Sequence, residues 1–230
     1  MMDIDGLKRQ AAEKAVEFVA SGMVVGLGTG STAVHATRAI GRKLQDGSLR
    51  NIIAIPTSEA TAREAEKWAI PLTTFHDHPA IDLTIDGADE IAPNLDVTKG
   101  LGGALLREKI VAAVTKQFII VADERKIVSQ LGSIAPVPVE VIPFAQRPVT
   151  DFLTKLGARV VLRINDEQPF ITDEGNIILD CHFDGIDNAA ALGQTIRSQP
   201  GVVEHGLFLN MVARAIIAAS DGITVLERER

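Results

Sequence analysis

Four short segments of the chain combine glycine, hydroxyl and charged residues in patterns that could bind an anion or move a proton. In chain order they are VVGLGTGST at 24–32, PTSEAT at 56–61, IDGADE at 85–90 and KGLGGALLREK at 99–109. The first three follow predicted strands, and the fourth leads into a predicted helix. Ligands of parallel sheets bind at the carboxyl ends of the strands, so we expect these segments to serve one site.

The first two segments are predicted to be strand-to-helix turns. Segment 24–32 lacks the lysine of a P-loop, and Ser31 stands where a dinucleotide fingerprint needs its third glycine. Backbone N–H groups at the start of a helix suit a single phosphate or carboxylate. The alternative is a tight turn in which Ser31 or Thr32 caps the helix. Segment 56–61 has the same place after the next strand, and its alternative is a plain capping box.

The third segment carries three acidic residues, Asp86, Asp89 and Glu90, at the end of a predicted strand. Such carboxylates can coordinate a metal ion or accept hydrogen bonds from a polyol. Magnesium normally accompanies a lysine-containing phosphate loop, which this chain lacks, so we predict no metal site. A solvated acidic turn is the alternative.

The fourth segment begins with flexible glycines and continues into a helix. Lys99 precedes this helix and Glu108 lies about one turn inside it. If the helix faces the site, the segment supplies a cation, a carboxylate base and amide donors together. Alternatively, Arg107, Glu108 and Lys109 form a solvated helix face.

The elements that position these segments alternate between strand and helix, which predicts a parallel, Rossmann-like α/β sheet with helices on both faces. The apolar pattern predicts helices near 3–22, 33–44, 58–68, 104–116 and 123–131, and strands at 23–27, 51–56, 71–75, 81–86 and 117–122. After residue 208, a helical piece is expected first. The strand GITVLE is then expected to return to the first sheet.

A second, smaller domain is predicted from the order of elements in residues 132–207. The order strand, helix, strand, strand, helix, strand is typical of a ferredoxin-like α+β domain. Its first strand, 137–142, lies in a proline-rich stretch and is expected at a sheet edge. We therefore predict a Rossmann-like catalytic domain of residues 1–131 plus 208–230 and a ferredoxin-like domain of residues 132–207.

Composition excludes several classes of protein. The chain has 230 residues, 46% of them apolar, and a formal net charge of -7 with interspersed acids and bases, which argues against a nucleic-acid surface. No apolar run approaches the roughly 18 to 20 residues of a membrane span. The charged N-terminus does not resemble a secretory signal, so we expect a cytoplasmic protein. Cys181, the single cysteine, is expected to be a passive strand residue.

Taken in order, the four segments resemble the ribose-5-phosphate isomerase family of the A type. PVEVIP at 138–143, GNIILD at 175–180 and GVVEHGLF at 201–208 extend the resemblance over nearly the whole chain. It implies interconversion of D-ribose 5-phosphate and D-ribulose 5-phosphate in the pentose phosphate pathway, with no metal or organic cofactor. It also implies a homodimer or a homotetramer.

The resemblance carries residue roles with it. Glu108 matches the proton acceptor of the family, and Leu101 stands where some relatives have glycine or arginine. By matching position, the substrate-binding residues are Thr29, Gly30, Ser31, Thr32, Asp86, Gly87, Ala88, Asp89, Lys99, Gly100, Leu101, Gly102, Lys126 and Lys8.

A chemical expectation follows for each group. Glu108 carries one proton between C1 and C2 across a cis-enediolate, while Lys99 and the glycine-loop amides stabilise the oxyanion. Asp86 opens the furanose ring, and Asp89 holds sugar hydroxyls. Lys126, the 29–32 turn and Lys8 hold the 5-phosphate.

Two rival functions stay open at this point. One is an amino-sugar-phosphate deaminase on a similar sheet, and the other is a non-catalytic sugar-phosphate sensor. A sensor of the transcription-regulator kind usually carries a basic DNA-binding segment, which this acidic chain lacks.

Overall fold

A computed structural model describes residues 3–228. They form two compact units. Unit 1 comprises the residues up to Ala88, Arg107–Lys126 and the residues from Met211 onward, and unit 2 comprises Asp89–Leu106 and Ile127–Asn210. Residues 89–106 thus belong to unit 2, whereas the sequence groups them with the first domain. The domain boundaries at 131 and 208 stay a prediction.

The described helices and strands are numbered in chain order. The helices are α1 (Ile4–Val16), α2 (Ala33–Gln45), α3 (Glu59–Lys67), α4 (Leu105–Ala113), α5 (Gln146–Lys155) and α6 (Ala189–Ser198). The strands are β1 (Val24–Leu27), β2 (Ile53–Pro56), β3 (Ile81–Gly87), β4 (Glu90–Ile91), β5 (Val97–Thr98), β6 (Thr115–Asp123), β7 (Val137–Val141), β8 (Arg159–Leu162), β9 (Ile164–Asn165), β10 (Gln168–Pro169), β11 (Ile177–His182), β12 (Val202–His205), β13 (Leu207–Phe208), β14 (Arg214–Ala219) and β15 (Gly222–Glu227). Within residues 3–228, no helix is both long and apolar enough to cross a membrane.

Unit 1 is built on a six-stranded sheet in the order β15-β14-β6-β3-β1-β2. Neighbouring strands run parallel except for β15, which pairs antiparallel with β14. Strand residues Val25, Ile85 and Ile119 are buried in one apolar cluster with residues of α1 and α2. The predicted Rossmann-like α/β class is confirmed.

Helix α1 shows how the sequence sets an element and where it stops. The side chain of Asp3 accepts a hydrogen bond from the amide of Gly6 at 2.9 Å and caps the first turn. The predicted helix extended to residue 22, but α1 ends at Val16. The amides of Glu17 and Phe18 bond to carbonyls three residues back, so the chain tightens and leaves the α-helical path.

Unit 2 contains an antiparallel sheet in the order β12-β7-β11-β8. Its inward residues pack against Val149 and Leu153 of α5 and Ile196 of α6. With α5 and α6, this order confirms the predicted strand, helix, strand, strand, helix, strand arrangement. Cys181 is fully buried in β11, as expected of a passive strand residue.

The expected edge position of the proline-rich strand is wrong. β7 pairs with β11 on one side and β12 on the other. Pro138 has no N–H, but its carbonyl accepts from the amide of Gly206 at 2.7 Å. The carbonyl of Gly206 accepts instead from the amide of Lys99 at 2.9 Å. The Lys99 amide therefore supplies the hydrogen bond to the Gly206 carbonyl that the proline, which has no N–H, cannot donate.

Three other expected elements differ from the structure. Residues 71–75 contribute a single bridge, between Leu72 and Ala54, instead of a strand. The helix expected at 123–131 is one 3₁₀ turn, Glu124–Lys126, because Ile127 and Val128 pair with Ile91. The helical piece expected after residue 208 is absent from the described residues, since RAIIAA forms β14 within the sheet. GITVLE does return to the first sheet, as β15.

Candidate functional site

The glycine-rich turn after β1 is built around Asp86, at the end of β3. Asp86 is fully buried, and its Oδ1 accepts from the amides of Thr29 at 3.1 Å and Gly87 at 2.7 Å. A Cβ at Gly28 would lie 2.3 Å from this oxygen, so only glycine allows the approach. The turn and the aspartate therefore form one rigid arrangement within unit 1.

A cluster of hydroxyl groups lies within hydrogen-bond distance of the Thr29 side chain in this turn. Oγ1 of Thr29 lies 2.7 Å from Oγ1 of Thr57, 2.8 Å from Oγ of Ser58 and 3.0 Å from Oγ1 of Thr61. Thr61 also donates to the carbonyl of Gly28 at 3.0 Å. Ser58 caps α3 by accepting from the amide of Thr61, so the expected N-cap is present, although N3 is Thr61 and lacks the acidic side chain of a capping box. The hydroxyl groups of Ser58 and Thr61 at the start of α3 therefore also hydrogen-bond to the turn after β1.

The start of α2 lies beside a lysine. Nζ of Lys8 donates to Oγ of Ser31 at 2.9 Å. Thr32 holds the N-cap position of α2, yet its side chain makes no capping hydrogen bond. Gly30 has a φ of 110°, a conformation that favours glycine. A lysine, two hydroxyl groups and a helix start are features that bind phosphate oxygens.

A cavity of about 290 Å³ lies next to this turn within unit 1. Its wall includes Thr29, Gly30 and Ser31 on one side and Thr61 and Glu64 of α3 on the other. Arg38 donates to Glu64 at 2.7 Å, and this hydrogen bond keeps the pKa of Glu64 below its usual value despite partial burial.

Glu108 is buried on α4, with 3% of its surface exposed. Its neighbours Arg107 and Lys109 are half-buried, and Arg107 pairs with the exposed Glu59 at 2.8 Å. The alternative of a solvated helix face is therefore wrong for Glu108. A carboxylate shielded from water in this way has the setting of a general base.

Lys126 ends the 3₁₀ turn after β6 and is half-buried. The preceding Asp123 is buried, and burial acts to raise the pKa of its carboxyl group. Hydrogen bonds and the positive charge of Arg125 outweigh that effect, so the pKa of Asp123 lies below its usual value. Arg125 thus neutralises Asp123.

In unit 2, Lys99 begins the glycine-rich loop as a buried cation, 2% exposed. Its Nζ lies 5.6 Å from the centre of the Phe208 ring. The amide of Leu101 donates to Oδ2 of Asp89 at 3.0 Å, and the Asp89 amide donates to the carbonyl of Thr98. Loop 99–102 and Asp89 therefore form a second polar group of predicted site residues.

Glu90, the last acid of the third segment, has a different role. It is fully buried and accepts hydrogen bonds from the amides of Gly132 and Ile134 at 2.6 Å and of Ala135 at 2.8 Å. Glu90 is therefore a structural anchor for the chain at 132–135. Within residues 3–228, no three His, Cys, Asp or Glu side chains are grouped so as to hold a metal ion.

Comparison with known proteins decides the family. The family described as ribose 5-phosphate isomerase A (phosphoriboisomerase A) matches residues 53–222. A ribose-5-phosphate isomerase A from Desulfatibacillum aliphaticivorans is 52% identical over 97% of each chain. The chain belongs to the ribose-5-phosphate isomerase A family. The resemblance read from the sequence is confirmed, and members of this family are aldose–ketose isomerases.

Solved structures of family members share the whole fold. Ribose 5-phosphate isomerase from Plasmodium falciparum is 40% identical, covers 99% of this chain and 100% of its own, and superposes with a TM-score of 0.96. A D-ribose-5-phosphate isomerase in complex with phospho-erythronic acid is 38% identical, with the same coverage and a TM-score of 0.96.

The structure distributes the predicted site residues of this family member over both units. Unit 1 holds Thr29, Gly30, Ser31, Thr32, Asp86, Gly87, Ala88, Glu108, Lys126 and Lys8, and unit 2 holds Asp89, Lys99, Gly100, Leu101 and Gly102. Sequence reasoning missed Arg163, which donates to the carbonyls of Gly100 and Leu101 from 62 or 63 residues away. No local pattern around an arginine in a strand-like stretch signals so distant a contact.

Proposed function

We propose that this family member interconverts D-ribose 5-phosphate and D-ribulose 5-phosphate. The observation that carries the proposal is the burial of Glu108, a carboxylate withheld from water on a helix whose neighbouring charged residues reach the surface. The membership in the ribose-5-phosphate isomerase A family supports this substrate pair.

Glu108 is the single base of the proposed reaction. In the open-chain aldose, its carboxylate takes the proton from C2, the C2–H electrons form the C1=C2 bond, and negative charge moves to O1. The same carboxyl group, whose proton can exchange with solvent, then protonates C1. O2 loses its hydroxyl proton and becomes the ketone, while O1 gains a proton and becomes the alcohol. Atoms and electrons balance with Glu108 as the base, and we propose that the reaction proceeds without a metal or organic cofactor.

The side chain of Lys99 and the glycine amides of its loop, those of Gly100 and Gly102, are the proposed stabilisers of the enediolate oxygens. Each such donor typically lowers a barrier by roughly 3 to 4 kcal/mol. The complex of a solved relative with phospho-erythronic acid supports an enediolate as the intermediate of the proposed reaction, because a carboxylate on a phosphorylated polyol has the planar, anionic shape of an enediolate.

The remaining roles concern the ring and the two ends of the sugar. Asp86, held by the amides of Thr29 and Gly87, is proposed to handle the ring-oxygen proton when the furanose opens. Asp89 is proposed to hold sugar hydroxyl groups. The 29–32 turn, Lys8 and Lys126 are proposed to bind the 5-phosphate, since Lys8 already lies against Ser31.

The biological setting is proposed from the family as well. It comprises the non-oxidative branch of the pentose phosphate pathway, a cytoplasmic location, and a homodimer or homotetramer. No contact with nucleic acid or membrane is proposed.

Incubation of ribose 5-phosphate with the protein in deuterium oxide tests the proposal. We expect ribulose 5-phosphate to form with deuterium at C1, and recovered aldose to carry deuterium at C2. Release of ammonia from an aminohexose phosphate, with no pentose turnover, would establish the deaminase instead. Binding of sugar phosphate without any exchange would establish the sensor.

A further inference from the structure

We propose that Arg163 is a positioning residue that fixes the orientation of the Lys99–Gly102 loop. This inference rests on the proposed function, because it assigns a purpose to the loop that is proposed to stabilise the enediolate. Arg163 lies between β8 and β9 in unit 2, and its side chain is 13% exposed.

The guanidinium of Arg163 divides its donors between two tasks. Nη1 donates to the carbonyl of Gly100 at 2.8 Å and to that of Leu101 at 3.1 Å. Nε donates to Oδ2 of Asp180 at 2.9 Å, and Nη2 donates to Oδ1 of the same carboxylate. The two hydrogen bonds to Asp180 therefore fix the plane of the guanidinium, while Nη1 donates to the two loop carbonyls.

Aromatic packing limits the other directions in which Arg163 could move. The centre of the Phe170 ring lies 5.9 Å from the guanidinium carbon. The same ring lies against the loop, since a Cβ at Gly103 would approach its Cζ to 2.4 Å. Phe170 thus touches both partners, and Gly103 is glycine because the ring leaves no room for a side chain.

The hydrogen bonds from Arg163 to two loop carbonyl groups determine the direction of the two amide N–H groups that follow them. In a trans peptide, the C=O of one residue and the N–H of the next point in opposite directions. Since the carbonyls of Gly100 and Leu101 face Arg163, the N–H groups of Leu101 and Gly102 point away from it. The Leu101 N–H reaches Oδ2 of Asp89 at 3.0 Å. Arg163 thereby orients both the loop amides and a proposed sugar-binding carboxylate.

A lysine at this position cannot perform the same function. Its ammonium group is a compact point donor, whereas the contacts to Asp180 and to both carbonyls use a planar fork. We therefore expect Arg163→Lys to keep the positive charge and lose the geometry. The matched control is Arg197→Lys, because Arg197 also pairs with a carboxylate of unit 2, that of the poorly exposed Glu204.

The test compares steady-state kinetics on ribose 5-phosphate. We expect Arg163→Lys to lower kcat by about tenfold or more with KM changed less than about twofold, since the oriented donors act on charge that develops during reaction. Arg197→Lys is expected to stay within about twofold of the wild type in both constants. Equal losses in the two variants, or a wild-type kcat in Arg163→Lys, would overturn the proposal.

Two further measurements keep the test decisive. If Arg163→Lys does not fold, Asp180→Asn carries the test: a lowered kcat at unchanged KM supports the proposal, and an unchanged kcat overturns it. Added guanidinium ion is expected to restore part of the kcat of Arg163→Ala but not to alter Arg197→Ala. Failure of the wild-type protein to isomerise ribose 5-phosphate would reject the proposed function itself. If the wild type is active and the kcat of the Arg163 variants equals that of the wild type, only the role of Arg163 is rejected.

Discussion

The backbone amide of Thr29 donates a hydrogen bond to Oδ1 of the fully buried Asp86 at 3.1 Å. This contact joins the turn after β1 to the end of β3 across neighbouring parallel strands. A backbone amide of the proposed phosphate-binding turn, together with that of Gly87, therefore orients the proposed ring-opening carboxylate. Changes that move the turn are expected to change catalysis as well as binding.

Replacing the base is the most direct prediction. Glu108→Gln keeps the shape of the side chain but cannot accept a proton, so kcat is expected to fall by roughly a hundred- to ten-thousandfold. KM is expected to change little. Steady-state kinetics and deuterium exchange at C2 measure both effects. Glu66→Gln, on the exposed part of α3, is the control and should retain wild-type activity. Near-normal turnover in Glu108→Gln would remove the base assignment.

The hydroxyl cluster gives a second prediction. Thr57→Val removes the partner that lies 2.7 Å from Oγ1 of Thr29. The matched control is Thr84→Val, because Thr84 is equally buried and its hydroxyl lies 2.7 Å from that of Thr115. Both variants are expected to lose about 1 to 2 kcal/mol of unfolding free energy. Only Thr57→Val is expected to raise the KM for ribose 5-phosphate, by about threefold or more, as enzyme assays and urea unfolding will show.

Glu140 predicts a pH dependence of stability that is separate from catalysis. Burial raises the pKa of this carboxyl group, although Asn176 and Thr172 donate hydrogen bonds to it. A raised folded pKa means that the stabilising protonated form is fully present below the unfolded value, and its contribution is lost as pH rises through the folded value. Glu140→Gln is therefore expected to gain stability relative to the wild type as pH increases from about 4.5. Urea unfolding at several pH values measures this difference, and a pH-independent difference would contradict it.

The thiol of Cys181, the single cysteine, is expected not to react with alkylating reagents in the folded protein. Burial raises the pKa of Cys181 far above its usual range, and the residue is fully buried in β11. Iodoacetamide is expected to leave native protein and its activity unchanged at neutral pH and to label the thiol after unfolding in urea. Rapid alkylation of active enzyme, followed by mass spectrometry, would show that the strand opens.

Metal independence can be tested without any substitution. Because the proposed reaction uses a carboxylate base and a lysine cation, exhaustive treatment with a chelator is expected to leave kcat unchanged. Loss of activity that a divalent ion restores would show that the proposed set of catalytic groups is incomplete.

Patterns local in the sequence identified the parts of this molecule that depend on neighbouring residues. The glycine turn at 24–32, the acidic strand end at 85–90 and the glycine-led helix with Glu108 all follow from short-range chemistry. The order of elements that predicts the second domain is equally local, since α5 and α6 each bury one apolar face.

Structural features that depend on residues distant in the chain cannot be predicted from local sequence patterns. The alanine-rich segment at 214–219 favours a helix by composition, but it forms a strand because both of its neighbours in the sheet come from elsewhere in the chain. Pro138 lies in an interior strand because Lys99 satisfies the carbonyl of Gly206. Arg163 reaches Gly100 across 63 residues, so only the folded chain shows the contact.

The place of β14 in the sheet has a consequence for synthesis on the ribosome. β14 pairs with β6 along Ile119–Asp123, yet it follows the whole of unit 2 in the chain. While residues 127–210 are being translated, the apolar flank of β6 is therefore an open sheet edge in the nascent polypeptide. Such an edge can pair with other chains, so we expect ribosome-bound intermediates to depend on chaperones until β14 emerges.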